Sequence, residues 1–181
     1  EEHIAIAKKA AEEGITLIKN EGVLPLKKDK VKKVAMIGKL ANKENIGDHG
    51  SSWVRPPYVV TPVQGMERIN PDSEVIFNDG SDLESAKKLA READAVVFVV
   101  GYNHDDEGEF VSADQAANYT GAMGGDRKTS LGLHKDEIKL IQEVGPENPK
   151  STVVLIGGNM IMMTEWYDCV NAVMMAYYPG M

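Results

Sequence analysis

Five short apolar runs along the chain predict the strands of a largely buried sheet. The clearest is AVVFVV, residues 95–100, which Gly101 ends. An unbroken apolar run is typical of a parallel strand that is covered on both faces. A shorter run, ITLI, follows Gly14 and predicts one more short strand. The five main strands are predicted at residues 31–38, 73–80, 95–100, 151–158 and 169–180.

Helical periodicity occupies the segments between these strands. Residues 82–93 carry an apolar stripe at helical spacing, and Asp82 can cap that helix. Residues 134–144 predict another helix, which Gly145 and Pro146 end. Shorter helical segments are predicted within residues 1–20 and at residues 62–70.

The alternation of strands and helices predicts the fold class. It favours right-handed crossovers and a mostly parallel sheet with helices on both faces. The prediction is therefore an α/β protein, a flavodoxin-like three-layer α/β/α sandwich that forms one domain over residues 1–181. Because the sequence opens inside a helical pattern and stops at a turn, we expect a piece of a larger two-domain protein that lacks the last elements of this domain.

Composition narrows the possible partners. The net charge of −8 argues against nucleic acid or an anionic membrane, because both require a basic surface. Cys169 is the single cysteine, which excludes an intrachain disulfide and favours a small core residue. No run of 18 apolar residues and no signal-peptide pattern occurs in the sequence, which leaves the compartment open.

Two polar loops follow predicted strands, and chemistry in open α/β folds is found on such loops. The first begins at Tyr102, is unusually long, and is acidic at its start; its carboxylates are Asp105, Asp106, Glu107 and Glu109. A Glu among other acids is disfavoured in its charged form and suits general acid catalysis. The alternative is that these acids form a solvated loop tip with no catalytic role, which explains the same pattern.

The second loop follows residues 31–38 and should lie at the same edge of the sheet. It carries Trp53 beside Arg55, a pair that can stack on a sugar ring. A tryptophan that holds the loop to the core is an equal alternative. The remaining polar candidates in this loop are Asp48, His49, Ser51 and Ser52.

Motifs for other chemistries do not occur in the sequence. It contains no G-x-G-x-x-G, no P-loop, no CxxC, no HExxH, no calcium-loop spacing and no G-x-S-x-G. No cofactor and no metal are implied.

The ordered set of motifs resembles the C-terminal α/β sandwich domain of glycoside hydrolase family 3, the β-glucosidase and β-xylosidase type. The resemblance covers nearly the whole chain. The stretches that carry it are AAEEGITLIKNEGVLPL (10–26), KKVAMIG (32–38), GDHGSS (47–52), DLESAKKLAREADAVVFVVG (82–101), DEGEF (106–110), GGDRKTSLGL (124–133), VVLIGGNMIMMTEW (153–166) and AVMMAYYPGM (172–181).

This resemblance implies half of a retaining β-glycosidase active site. A barrel domain of the same parent chain would supply an aspartate nucleophile, and this domain would supply the acid/base glutamate. The family's acid/base lies in an E-G-aromatic element. Glu107 matches by the Gly108 that follows it and is preferred, while Glu109 matches by its following Phe110. We therefore expect the 181 residues alone not to hydrolyse glycosides.

The resemblance also assigns supporting roles. Asp126 and Arg127 match the family's GDR element, where an ion pair that fixes the loop exit is the better interpretation. Trp53 and Arg55 would contact the aglycone of a β-linked oligosaccharide or glycoside if the two loops meet over the substrate.

Two other functions stay open. One is a non-catalytic carbohydrate- or partner-binding α/β module. The other is a receiver-like regulatory domain, which needs an aspartate at the end of an early strand where Gly38 and Gly80 stand instead.

Overall fold

A computed structural model describes residues 2–47, 53–108 and 130–179 and shows one six-stranded sheet. The spatial order of the strands is β1-β6-β5-β4-β2-β3. Neighbouring strands are parallel except for β1, which is antiparallel to β6, so the prediction of a mostly parallel sheet is confirmed. The strands are β1 (Thr16–Asn20), β2 (Lys33–Ile37), β3 (Glu74–Asn78), β4 (Ala95–Gly101), β5 (Ser151–Ile156) and β6 (Ala172–Tyr177).

Helices cover both faces of the sheet. Side chains of α3 and α5 join the core on one face, and Val63 of α2 joins the core on the other. Helix α1 has no buried residue. The helices are α1 (Glu2–Gly14), α2 (Pro62–Ile69), α3 (Leu83–Glu92), α4 (His104–Glu107) and α5 (Lys135–Val144). None of the helices in the described ranges is long and apolar enough to cross a membrane.

The central strand β4 shows why the apolar runs form this sheet. All of its residues are buried, and alternate side chains enter opposite cores. Val96, Phe98 and Val100 belong to the core beneath α3 and α5, while Val97 and Val99 belong to the core beneath α2. A strand that is buried on both faces must be apolar at every position.

Local sequence signals set the helix boundaries. The Asp82 carboxylate accepts hydrogen bonds from the N–H groups of Glu84 at 3.0 Å and Ser85 at 3.2 Å, which confirms the predicted cap.

Trp166 is buried in the core at 1% exposure. Cys169 is half-buried and packs against the same core.

The strand order places a topological switch point between β2 and β4. From β2 the chain passes to β3 on one side and then returns to β4 on the other side. Ligands of open α/β sheets bind in the crevice at such a point, outside the carboxyl ends of the strands. Both polar loops predicted from the sequence leave strands that border this switch point.

Glycine is required at the carboxyl ends of these two strands. Gly38 has φ +111° and Gly101 has φ +129°. A Cβ atom on Gly38 would lie 2.5 Å from the carbonyl oxygen of Val99, and one on Gly101 would collide with the carbonyl oxygen of Ile156. The strand ends can therefore approach their neighbours only without a side chain.

Candidate active site

The exit of β4 is held by hydrogen bonds to three other elements. The Gly101 N–H donates to Oε1 of Glu137 in α5 at 3.1 Å, and the Tyr102 N–H donates to the carbonyl of Ile156 at 2.9 Å. The Tyr102 hydroxyl donates to the carbonyl of Gly132. These contacts fix the starting position of the acidic loop.

One helical turn, α4, follows directly and carries the first acidic residues. The Asn103 side chain accepts from the Asp105 N–H at 2.8 Å, and the Asp106 side chain accepts from the Asn103 N–H at 3.2 Å. This reciprocal cap fixes the turn although it is short. Glu107 is the last residue of the turn and donates its N–H to the Asn103 carbonyl at 2.9 Å.

The Glu107 carboxylate joins the exits of three neighbouring strands. Its Oε2 accepts a hydrogen bond from the N–H of Gly158, just after β5, at 2.8 Å. The same oxygen accepts from the hydroxyl of Tyr178, just after β6, at 2.7 Å. The Oε1 atom is buried. Glu107 therefore lies at the carboxyl edge of the sheet, as predicted.

Glu137 is a buried carboxyl group beneath the same edge. It is only 6% exposed, and its Oε2 has no hydrogen-bond partner among the described residues. Burial raises the pKa of the Glu137 carboxyl from 4.5 to about 7, although the Gly101 N–H and nearby His134 oppose this rise. The side chain lines a cavity of about 320 Å³ between the ends of β2 and β3 and the first turn of α5.

The rim of that cavity carries an ion pair between Lys39 and Asp136, with Nζ and Oδ2 2.6 Å apart. The hydrogen bond from Lys39 holds the pKa of the Asp136 carboxyl below its ordinary value. The negative charge of Asp136 also raises the pKa of the neighbouring Glu137 carboxyl.

The loop after β2 contacts the start of the acidic loop. The Asn45 side chain donates to the Tyr102 carbonyl at 3.0 Å, and Lys43 lies 3.7 Å from the Asp105 carboxylate. A ring nitrogen of His134, the residue before α5, lies 3.0 Å from the Asp106 carboxylate. The two loops thus lie at the same edge of the sheet, as the sequence predicted from their positions after strands, and they contact each other there.

Trp53 and Arg55 form one unit at the surface. The Arg55 guanidinium carbon lies 4.7 Å from the centroid of the Trp53 ring, and 43% of Trp53 is exposed. This favours the stacking interpretation over a tryptophan that is buried against the core. Contact of this pair with a glycoside stays a prediction.

Several residues proposed from the sequence lie outside the described residues. Glu109 is one, and so are both residues of the GDR element, Asp126 and Arg127. Asp48, His49, Ser51 and Ser52 also lie outside them. Among residues 2–47, 53–108 and 130–179, no group of three or more His, Cys, Asp or Glu side chains is arranged to hold a metal ion.

Sequence reasoning missed Gly158, Tyr178 and Glu137 as parts of this edge. Gly158 and Tyr178 each follow a predicted strand, in the segments VLIGG and AYYPG, and this placement is the signal that could have identified them. Glu137 has the appearance of an ordinary acid in the first turn of an amphipathic helix, and only its burial distinguishes it.

Comparison with known proteins identifies relatives for nearly the whole chain. A family model described as "Glycosyl hydrolase family 3 C-terminal domain" matches residues 15–181. An exo-1,4-beta-xylosidase of Emericella nidulans is 33% identical over 97% of this chain, which covers 21% of that protein. Thermostable beta-glucosidase B of Acetivibrio thermocellus is 31% identical over 98% of this chain, which covers 23% of it.

Solved structures agree with this match. A β-glucosidase of Erythrobacter marinus superimposes with a TM-score of 0.81 at 25% identity and covers 99% of this chain. A family 3 β-glucosidase of Neurospora crassa has a TM-score of 0.76 at 27% identity, also over 99% of the chain. The chain spans 27% of the first of these proteins and 22% of the second.

Proposed function

The chain belongs to glycoside hydrolase family 3 as the C-terminal domain of a β-glucosidase- or xylosidase-like protein, and we propose that it supplies the acid/base carboxyl group of a retaining β-glycosidase. The position of Glu107 carries the proposal. The acidic loop that contains it leaves β4 beside the topological switch point, and the loop from β2 contacts the start of the acidic loop through the hydrogen bond from Asn45 to the Tyr102 carbonyl.

The chemistry requires a carboxyl group that changes role during the reaction. It first donates a proton to the glycosidic oxygen as the bond to the sugar breaks. It then removes a proton from the water that attacks the covalent glycosyl intermediate. Glu107 and Glu109 are both candidates for this carboxyl group.

The nucleophile would come from another domain of the same polypeptide. In retaining enzymes the two carboxyl groups lie roughly 5 to 5.5 Å apart, so the acidic loop would have to reach that domain closely. We propose that residues 1–181 form one domain of a two-domain enzyme and are inactive alone. Asp126 and Arg127 would hold the loop exit in this arrangement.

The proposed substrate is a terminal β-linked sugar. The relatives named above are β-glucosidases and a β-xylosidase, so both sugars are candidates. The stacked pair of Trp53 and Arg55 offers an exposed aromatic face for the aglycone.

Azide rescue in the full-length parent enzyme tests the proposal. Glu107→Ala and Glu109→Ala variants are assayed with p-nitrophenyl β-glucoside and with a glucoside that has a poor leaving group. Loss of the acid/base should reduce activity on the poor leaving group by at least about 100-fold, and azide should restore turnover as β-glycosyl azide.

A neighbouring carboxyl group provides the matched control. Asp105→Asn removes an acid from the same helical turn and should change neither the leaving-group dependence nor the response to azide. If neither glutamate variant responds to azide and both keep wild-type activity, the domain is a carbohydrate- or partner-binding module instead. Activity of the isolated 181 residues would also contradict the proposal.

A further inference from the structure

The contacts of Glu107 distinguish the two candidate glutamates. Its Oε2 accepts hydrogen bonds from the Gly158 N–H at 2.8 Å and the Tyr178 hydroxyl at 2.7 Å. Both donors belong to the same domain as Glu107. Hydrogen bonds to a charged carboxylate are stronger than neutral ones, so releasing this oxygen towards a substrate would be costly.

Two glycines lie next to the Glu107 carboxylate. Gly157 and Gly158 have no side chains, and a Cβ atom on either would lie 3.6 Å from Oε2 of Glu107. A Cβ atom on Gly158 would also lie 3.1 Å from the ring of Tyr178. Gly158 therefore leaves room for the Tyr178 ring, while the 3.6 Å separations show only that the Glu107 carboxylate lies close to both glycines at the exit of β5.

The backbone of Glu107 is fixed as well as its side chain. The reciprocal cap between Asn103 and Asp106 closes the helical turn, and the N–H of Glu107 belongs to that turn. The other oxygen, Oε1, is buried. A general acid needs a carboxyl oxygen within hydrogen-bond reach of the leaving group, whereas Oε2 of Glu107 already accepts two hydrogen bonds and Oε1 is buried in this arrangement.

From these contacts we propose that Glu107 is a positioning residue, which anchors the start of the acidic loop to the exits of β5 and β6. The inference rests on the proposed glycosidase function and assigns roles within it. Glu109, two residues further along the same element, is then the carboxyl group that exchanges the proton. The anchor sets the point from which the loop reaches the substrate.

Conservative variants of the full-length enzyme test the anchor. In Glu107→Gln the amide oxygen still accepts from Gly158 and Tyr178, so kcat/KM should fall by less than about tenfold, against the 100-fold or more expected for a lost general acid. Leaving-group dependence and the alkaline limb of the pH profile should stay as in the wild type. Tyr178→Phe removes one donor and should lower kcat without azide rescue.

Two further variants complete the experiment. Gly158→Ala displaces the Tyr178 ring but leaves both glutamates in place, and it should resemble Tyr178→Phe. Glu109→Gln should lose the alkaline limb, and Glu109→Ala should respond to azide. Glu67→Gln, an exposed glutamate of α2, is the control for a change of charge.

The outcomes separate the inference from the function on which it rests. If Glu107→Gln loses activity on poor leaving groups and Glu107→Ala is rescued by azide, Glu107 is the acid/base, so the inference fails while the proposed function stands. If no variant of either glutamate responds to azide, the proposed function fails and the anchor has no catalytic meaning.

Discussion

Replacing Glu137 by glutamine should make the chain more stable at neutral and alkaline pH but not in acid. The side chain is buried, and burial raises the pKa of its carboxyl group from 4.5 to about 7. The folded protein therefore holds the proton more strongly than the unfolded chain does. The contribution of Glu137 to the unfolding free energy is therefore fully present below pH 4.5 and is lost as the pH rises through about 7.

The magnitude follows from the two pKa values of Glu137. They differ by about 2.5, and a difference of one corresponds to about 1.36 kcal/mol, so about 3 kcal/mol of unfolding free energy is lost between them. Glutamine has the same shape, carries no charge, and can still accept the hydrogen bond from the Gly101 N–H. The unfolding free energy of the Glu137→Gln protein should therefore not show the decrease that Glu137 causes between these two pKa values.

The assay is urea unfolding of both proteins from about pH 4 to about pH 8.5, with the difference in unfolding free energy plotted against pH. Contributions from carboxylates that do not interact with Glu137, such as Asp94, are common to both proteins and cancel in that difference. The variants should be equally stable near pH 4, and glutamine should gain about 3 kcal/mol above pH 7.

An exposed glutamate provides the reference. Glu67→Gln should give a flat difference within about 0.5 kcal/mol at every pH. If Glu137→Gln gives the same flat line, Glu137 is not held neutral by burial, and the electrostatic description of this edge of the sheet is wrong.

Two further predictions concern the strand exit and the surface aromatic pair. Gly101→Ala should lower the unfolding free energy by about 3 kcal/mol or more in urea unfolding, because its Cβ atom would collide with the Ile156 carbonyl at a φ that suits glycine. Gly65→Ala is its control; that helical glycine has open space around it and should gain about 0.5 to 1 kcal/mol. In the full-length enzyme, Trp53→Ala should raise KM for aryl glycosides several-fold, by about 0.5 to 1 kcal/mol of lost stacking, with kcat unchanged. Equal effects from Tyr58→Ala, another exposed aromatic of the same loop, would contradict a specific role for Trp53.

The sheet could be predicted from the sequence because its signals are local. An unbroken apolar run such as β4 is stable only as a strand that is buried on both faces of the sheet. Asp82 caps α3 through the N–H groups of Glu84 and Ser85, which are two and three positions further along the chain. The direction of β1 could not be predicted in this way. Its antiparallel pairing with β6 joins residues near the two ends of the chain, and no local pattern specifies that partner.

The candidate site shows the same division. The acidic loop follows a strand, which predicts its place at the carboxyl edge of the sheet, and Glu107 lies there. Its two donors, Gly158 and Tyr178, are 51 and 71 positions away along the chain, so the sequence preference for Glu107 as the acid was formed without them. Burial of Glu137 is likewise a property of the packed structure, since an amphipathic helix accepts an acid in its first turn for local reasons alone.

The hydrogen bond between the Tyr102 hydroxyl and the Gly132 carbonyl has a consequence for divergence among related enzymes. It joins the two ends of the connection between β4 and α5 at its base, and Glu107 fixes a second point near the start. When the ends of a loop are held in this way, doubling its length costs only about 0.6 kcal/mol of closure entropy. Insertions and deletions between residues 111 and 125, which leave Glu109, Asp126 and Arg127 unchanged, should therefore leave the sheet intact, so the length of this segment can vary among relatives at little cost in stability.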